Sequence, residues 1–186
     1  MGQEKMYSEK YGWISVMVYN RYMKIYLATD HAGYEHKEEL KKYLLAQGKD
    51  VVDCGAYRYE EADDYPDTVS IAAEKVSRDR YARAIILGGS GQGEAIVANK
   101  FPHVRTVVYY GAPAEIVTLS REHNDANILS VGARFVEVEE MKQVVDMWLS
   151  AGFDQDERHV RRIRKIEKIE RSLHSVITKM RLRVRK

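Results

Sequence analysis

Gly88-Gly89-Ser90-Gly91-Gln92-Gly93-Glu94 is the segment whose residue types speak most directly of chemistry. Glycine-dense backbone can approach a ligand closely, and consecutive N–H groups at a helix start form a nest for an anion. Glu94, directly after the loop, sets a carboxylate beside those donors, where it can serve as a general base. A carboxylate in a first helical turn also complements the helix dipole, so this residue alone leaves both roles open. The anion need not be a dinucleotide. Gly89-x-Gly91-x-Gly93 lacks the G-x-G-x-x-G spacing, and no Walker lysine follows.

Asp30-His31 follows an apolar run, and both side chains are candidates for sugar hydroxyls and phosphate, or else a helix-capping Asp and a surface His. In Arg121-Glu122-His123-Asn124-Asp125, His123 is the side chain best suited to exchange protons near neutral pH, though a cation at a helix end is equally natural. Arg134 and the crowd Arg158, His159, Arg161 and Arg162 offer planar guanidinium forks that suit phosphate. His36, His103 and His174 belong to no constellation and read as surface residues. No metal-ligand spacing occurs, and Cys54 reads as a buried bystander.

These residues need a scaffold that brings distant loops together. From Met23 onward, β-branched runs alternate with segments of helical period, the pattern of βαβ units and a parallel sheet. Strands are expected at 24–29, 50–53, 82–87, 104–109 and 128–131, with helices over 34–47, from Pro66, over 94–100, 114–122 and 137–151. In such a sheet, helices cover both faces and ligands bind at the strands' carboxyl ends. Residues 1–22 precede a further Met, Met23, and read as a disordered extension or a start-site artefact. From Arg158 on, Ile163, Ile166, Ile169, Leu173, Val176 and Ile177 recur at helical spacing in a basic background, which predicts one long amphipathic helix packed on a partner subunit.

Composition narrows the classes further. The 186 residues, 45% apolar, fit one domain. No stretch approaches the roughly 20 apolar residues of a membrane-spanning helix, and mean hydropathy is −0.49. Net charge is +2, but residues 158–186 carry twelve Lys and Arg against two Glu. That tail has no clustered aromatics for base stacking, so nucleic acid is not the expected partner. A single cysteine excludes an intrachain disulfide framework, and the first 22 residues lack signal-peptide features, so the cytoplasm is the expected location.

Taken together, Ala28-Thr29-Asp30-His31-Ala32-Gly33, Asp64-Tyr65-Pro66-Asp67, Gly89-Ser90-Gly91-Gln92-Gly93-Glu94, Ala98-Asn99-Lys100 and Arg121-Glu122-His123-Asn124-Asp125-Ala126-Asn127 closely resemble the type B ribose-5-phosphate isomerases. The galactose-6-phosphate isomerase subunits share that family. The resemblance runs from about Met23 to Glu170, includes Arg158-His159-x-Arg161-Arg162, and delimits an isomerase domain over 23–170 with a basic helical tail over 171–186. It implies an α/β fold, a three-layer Rossmann-like sandwich with a five-stranded parallel sheet and a C-terminal helix extending to a partner subunit. It further implies a homodimer or homotetramer with shared active sites, a sugar-phosphate substrate, and neither metal nor cofactor.

Many members of that family carry a cysteine immediately before the loop's Gly-Ser/Thr-Gly. Here the position is Gly88, and Cys54 lies on another strand. A subgroup instead places a glutamate after the last loop glycine, which Glu94 matches. By this resemblance Glu94 is the base for aldose–ketose isomerisation, with Ser90 and the N–H groups of Gly89, Gly91, Gln92 and Gly93 holding the oxyanion. His123 exchanges protons during ring opening with Asp30 assisting, and Asn124 binds a hydroxyl. His31, Arg134, Arg158 and Arg162 hold phosphate, the last two from a neighbouring subunit. Ribose 5-phosphate is the expected substrate; a six-carbon or four-carbon sugar phosphate and a non-catalytic binding role are the alternatives.

Overall fold

The computed structural model describes residues 23–184 other than Ala112, with side chains as far as Leu173. The expectation for residues 1–22 lies outside the described residues, as do Val176 and Ile177 as packing side chains. The strands are β1 (Lys24–Thr29), β2 (Asp50–Asp53), β3 (Arg83–Gly88), β4 (Thr106–Tyr109) and β5 (Ile128–Gly132). The helices are α1 (Tyr34–Ala46), α2 (Tyr65–Arg78), α3 (Gln92–Ala98), α4 (Glu115–Asn124), α5 (Val138–Ser150) and α6 (Glu157–Val184). A 3₁₀ turn, His31–Gly33, joins β1 to α1.

All strand pairs are parallel, in the order β2-β1-β3-β5-β4. Because strand side chains alternate, the central strands feed two cores. Ile25, Leu27, Ile85, Leu87, Leu129 and Val131 meet α1, α4 and α5 through Leu40, Leu44, Val117, Val144 and Trp148. Tyr26, Ala28, Ala84, Ile86 and Ile128 meet α2 and α3 through Val69, Ala72, Ala73, Val76 and Ala98. The result is a three-layer sandwich, as the periodicity predicts. The chain leaves β1 toward one side of the sheet and β3 toward the other, so the carboxyl ends of β1 and β3 flank a topological switch point, where such sheets bind ligands.

Two expected strand starts move inward. Ala82 is buried but turns, its N–H bonded to the Asp79 carbonyl, and Val104 bonds likewise to Phe101. The Arg105 N–H goes to the Asn127 side chain (2.8 Å), so the ladder of β4 begins at Thr106. Helix α3 begins at Gln92 instead of Glu94, because Gly91 adopts a left-handed φ of 75° and caps it. Pro66 sits in the first turn of α2, where its missing N–H costs nothing.

Candidate active site

Seen from β3, the loop at the switch point is built around close approaches. A Cβ on Gly88 would fall on the carboxyl group of Glu94, so that carboxyl fills the space a side chain at position 88 would need. Gly91 is locked against β5 by the Ser130 hydroxyl, which donates to its carbonyl (2.7 Å). Glu94 itself is 4% exposed. Burial pushes its carboxyl above the ordinary carboxylate value; a backbone hydrogen bond at Glu94 opposes this, and the charge of Asp30 adds to it. A carboxylate in that state is a stronger base than one in water.

Several other residues share this edge. Asp30 is buried and accepts a hydrogen bond from the Ala32 N–H (3.0 Å), capping the 3₁₀ turn. The backbone N–H of His31 donates to Asp63 Oδ1 (2.9 Å), and His31 Nδ1 lies 2.8 Å from the same oxygen, which fixes the ring and leaves Nε2 to a ligand. The Arg134 N–H donates to the Gly89 carbonyl (3.1 Å). Its guanidinium lies over Gly89, 3.2–3.3 Å from where a Cβ would sit. The Tyr65 ring flanks Gly93 in the same way, at 2.8 Å. Ser90 and Gln92 are exposed at the mouth.

A second group assembles on the opposite edge. α4 runs antiparallel to the strands, so its last residues, His123 and Asn124, emerge where β4 and β5 begin. The corner is held by Asp125 in the left-handed region (φ 46°), whose carboxylate receives Arg121 (2.8 Å) and Arg105 (2.7 Å). Asn127 clamps the same corner through the His103 carbonyl and the Arg105 N–H (both 2.8 Å). The start of α6 docks here, with the Asp154 N–H on the Glu122 carbonyl (3.2 Å). His159 is 2% exposed, and its Nδ1 lies 2.9 and 3.0 Å from the Asp154 oxygens. Its ring stacks on His123 with centroids 4.3 Å apart. Arg158 and Arg162 are exposed on the first turns of α6.

From Ile128, beside His123, to Gly132, beside the loop, β5 rises about 13 Å at roughly 3.3 Å per residue. On sequence grounds only Arg158 and Arg162 are expected from a neighbour; the structure groups His123 and Asn124 with them and apart from Glu94, Asp30, His31 and Arg134. One chain thus carries two separated groups. Asp63 and Asp154 are partners that residue types alone did not single out, since their contacts form only in three dimensions; Tyr65 belongs to a motif of the resemblance, and the structure adds its contact with Gly93. His36 is no loose surface residue: its Nε2 lies 2.9 Å from the Val136 carbonyl. Cys54 is buried, which pushes its thiol up to about 11.

Sequence spacing hides two possible ligand sets for a cation. The donor atoms of His123, Asp154 and His159 lie within 4.8 Å of one another, as do those of Asp30, His31 and Asp63. In each set a histidine–carboxylate hydrogen bond already occupies the shortest contact.

Known proteins extend this picture. The model of the Ribose/Galactose Isomerase family matches residues 25–166. Ribose-5-phosphate isomerase B of Mycobacterium tuberculosis is 39% identical over 140 residues, covering 75% of this chain and 85% of its own. The Escherichia coli protein of that name is 37% identical over 139 residues (75% and 91%). A 4-deoxy-4-sulfo-D-erythrose isomerase from a Clostridium species is 34% identical over 137 residues (72% and 83%). Among solved structures, ribose-5-phosphate isomerase B of Mycoplasma genitalium with bound ribulose-5-phosphate superposes with a TM-score of 0.77 at 33% identity, covering 81% of this chain and 97% of its own. The Clostridium thermocellum enzyme gives 0.76 at 40% identity (81% and 99%). With residues 25–166 matched by the family model and most of its length and fold shared with these proteins, the chain belongs to the ribose/galactose isomerase family.

Proposed function

We propose that the protein interconverts ribose 5-phosphate and ribulose 5-phosphate, with Glu94 as the base. The observation that carries this reading is the buried carboxylate of Glu94 filling the space beside Gly88, at the mouth of an anion-binding loop. Curated relatives at 37–39% identity that bear the name ribose-5-phosphate isomerase B support the substrate.

The sugar enters as a furanose. Ring opening breaks the C1–O4 bond; the electron pair goes to O4, which takes a proton from His123, while the anomeric hydroxyl loses its proton with assistance from Asp30. Glu94 then removes the C2 proton, and the bonding pair forms C1=C2 as charge develops on O1. Ser90 and the N–H groups of Gly89, Gly91, Gln92 and Gly93 stabilise that charge. The O2 proton passes to O1, and Glu94 returns its proton to C1, giving the 2-ketose. General acid–base catalysis suffices, worth roughly a hundredfold to ten-thousandfold per group.

The phosphate is held by His31 and Arg134 and, across a subunit boundary, by Arg158 and Arg162. His123 and Asn124 arrive from that same neighbour. The separation of the two groups along β5 supports a homodimer or larger homo-oligomer with shared sites. Binding the inert phosphate supplies positioning energy to the reacting end. No described helix is long and apolar enough to cross a membrane. A single, buried cysteine suits the reducing cytoplasm.

Turnover of the purified protein on ribose 5-phosphate, beside allose and galactose 6-phosphates and a four-carbon sugar phosphate, tests the substrate. Preference for ribose 5-phosphate is expected. Activity confined to a six- or four-carbon sugar would overturn the substrate and keep the chemistry.

A further inference from the structure

We infer that Asp154 and His159 form a positioning unit that holds His123 for ring opening; this rests on the reading of His123 as the ring-opening acid. His123 occupies the last turn of α4 and is half-buried, so little of α4 itself restrains its ring. The restraint comes from α6. His159 is 2% exposed and cannot swing away, since Asp154 lies 2.9 and 3.0 Å from its Nδ1.

Asp154 is anchored in turn. Its N–H donates to the carbonyl of Glu122, the residue before His123 (3.2 Å), and its Oδ1 accepts from the Asp156 N–H (2.9 Å). The contacts therefore close a loop from Glu122 through Asp154 and His159 back to His123. The stack, with centroids 4.3 Å apart and planes at 40°, restrains the ring plane of His123 while its edge nitrogens stay available for O4. His159 is buried while Asp154 stays partly exposed, so the carboxylate reaches in from the surface to hold one buried imidazole against that of His123, the arrangement by which an outer carboxylate orients a histidine.

Ring opening and proton transfer at carbon can be measured separately. Ribulose 5-phosphate is open-chain, because its phosphorylated 5-oxygen cannot close a furanose on C2. Exchange of its C1 hydrogen with D2O therefore reports Glu94 and the loop without ring chemistry. Asp154→Asn, at a partly exposed site, is expected to lower ribose 5-phosphate turnover about ten- to a hundredfold, the scale of a small misplacement of an acid. C1 exchange should stay within about twofold of wild type, since no proton transfer at carbon depends on His123 in this scheme. His159→Gln should give the same split, as should His123→Asn, more deeply.

An equal fall of both rates in Asp154→Asn would reduce the pair to a structural role and overturn the proposal. Wild-type behaviour of both Asp154→Asn and His159→Gln, with His123→Asn still split, would overturn it too. Wild-type ring opening in His123→Asn would instead remove the functional reading beneath it.

Discussion

Two variants, each inactive alone, are expected to regain activity when their subunits mix. Glu94→Gln removes the base from the loop group, and His123→Asn removes the acid from the group on the other sheet edge. Within one chain the rise of β5 sets these groups about 13 Å apart, and in the proposed division each working site draws on two chains. Each variant alone should fall roughly a hundredfold to ten-thousandfold in turnover. When equal amounts exchange in a two-fold dimer, half of the dimers are heterodimers. Each has one site with both intact residues and one with neither, so about one quarter of all sites recover. The assay is ribose 5-phosphate turnover after brief partial denaturation and refolding of the mixture, with heterodimers counted by native mass spectrometry. A mixture that contains its heterodimers and stays as inactive as its parents would refute the division of the site.

Gly88→Ala should displace the Glu94 carboxyl, because the added Cβ falls on it, and should cost at least about a hundredfold in kcat with the fold retained by circular dichroism. The Glu94 carboxyl has a raised pKa in the folded chain, so its favourable contribution is full below the ordinary value of 4.5 and is lost as pH climbs through the folded value. Thermal melts of Glu94→Gln and wild type should therefore agree near pH 4, with the variant melting higher near pH 8; a gap of opposite sign would contradict the burial cost. Lys37 is fully buried, and its ammonium donates to both Asp53 oxygens (2.8 Å each) and the Ala56 carbonyl (2.7 Å). Asp53→Ala leaves that buried charge to Glu38 (3.0 Å) and the Ala56 carbonyl and should cost up to about 3–5 kcal/mol in urea unfolding, while a loss under about 1 kcal/mol would show the pair to be dispensable.

The first two strands were legible to the residue because polar residues and a turn bound each apolar run. β4 was legible only in part: Val104 has the right character, but the backbone beside it is diverted, its Arg105 N–H donating to the Asn127 side chain. The loop glycines and Glu94 could be read as a site from their types, whereas the reason for Gly88 appears only in the fold, since it lies in the contact with Glu94. The edge on which His123 stands was within reach of topology, because a helix leaving a carboxyl-end loop returns to the amino edge. Within the matching motif around His123, the structure shows which residues brace the corner: Arg121, Asp125 and Asn127 hold it, while the side chains of His123 and Asn124 are left free of those bonds for the roles proposed. Asp63 lay hidden in a polar loop 32 residues from His31, and Asp154 in a short linker, where composition gives no sign of a partner.

The most direct test of the account is ribose 5-phosphate turnover by wild type and Glu94→Gln, with phosphate-ester affinity measured on both by calorimetry. A base at Glu94 predicts that turnover collapses by at least about a hundredfold while affinity changes little. Near-wild-type turnover in Glu94→Gln would contradict the assignment of the base and, with it, the central claim.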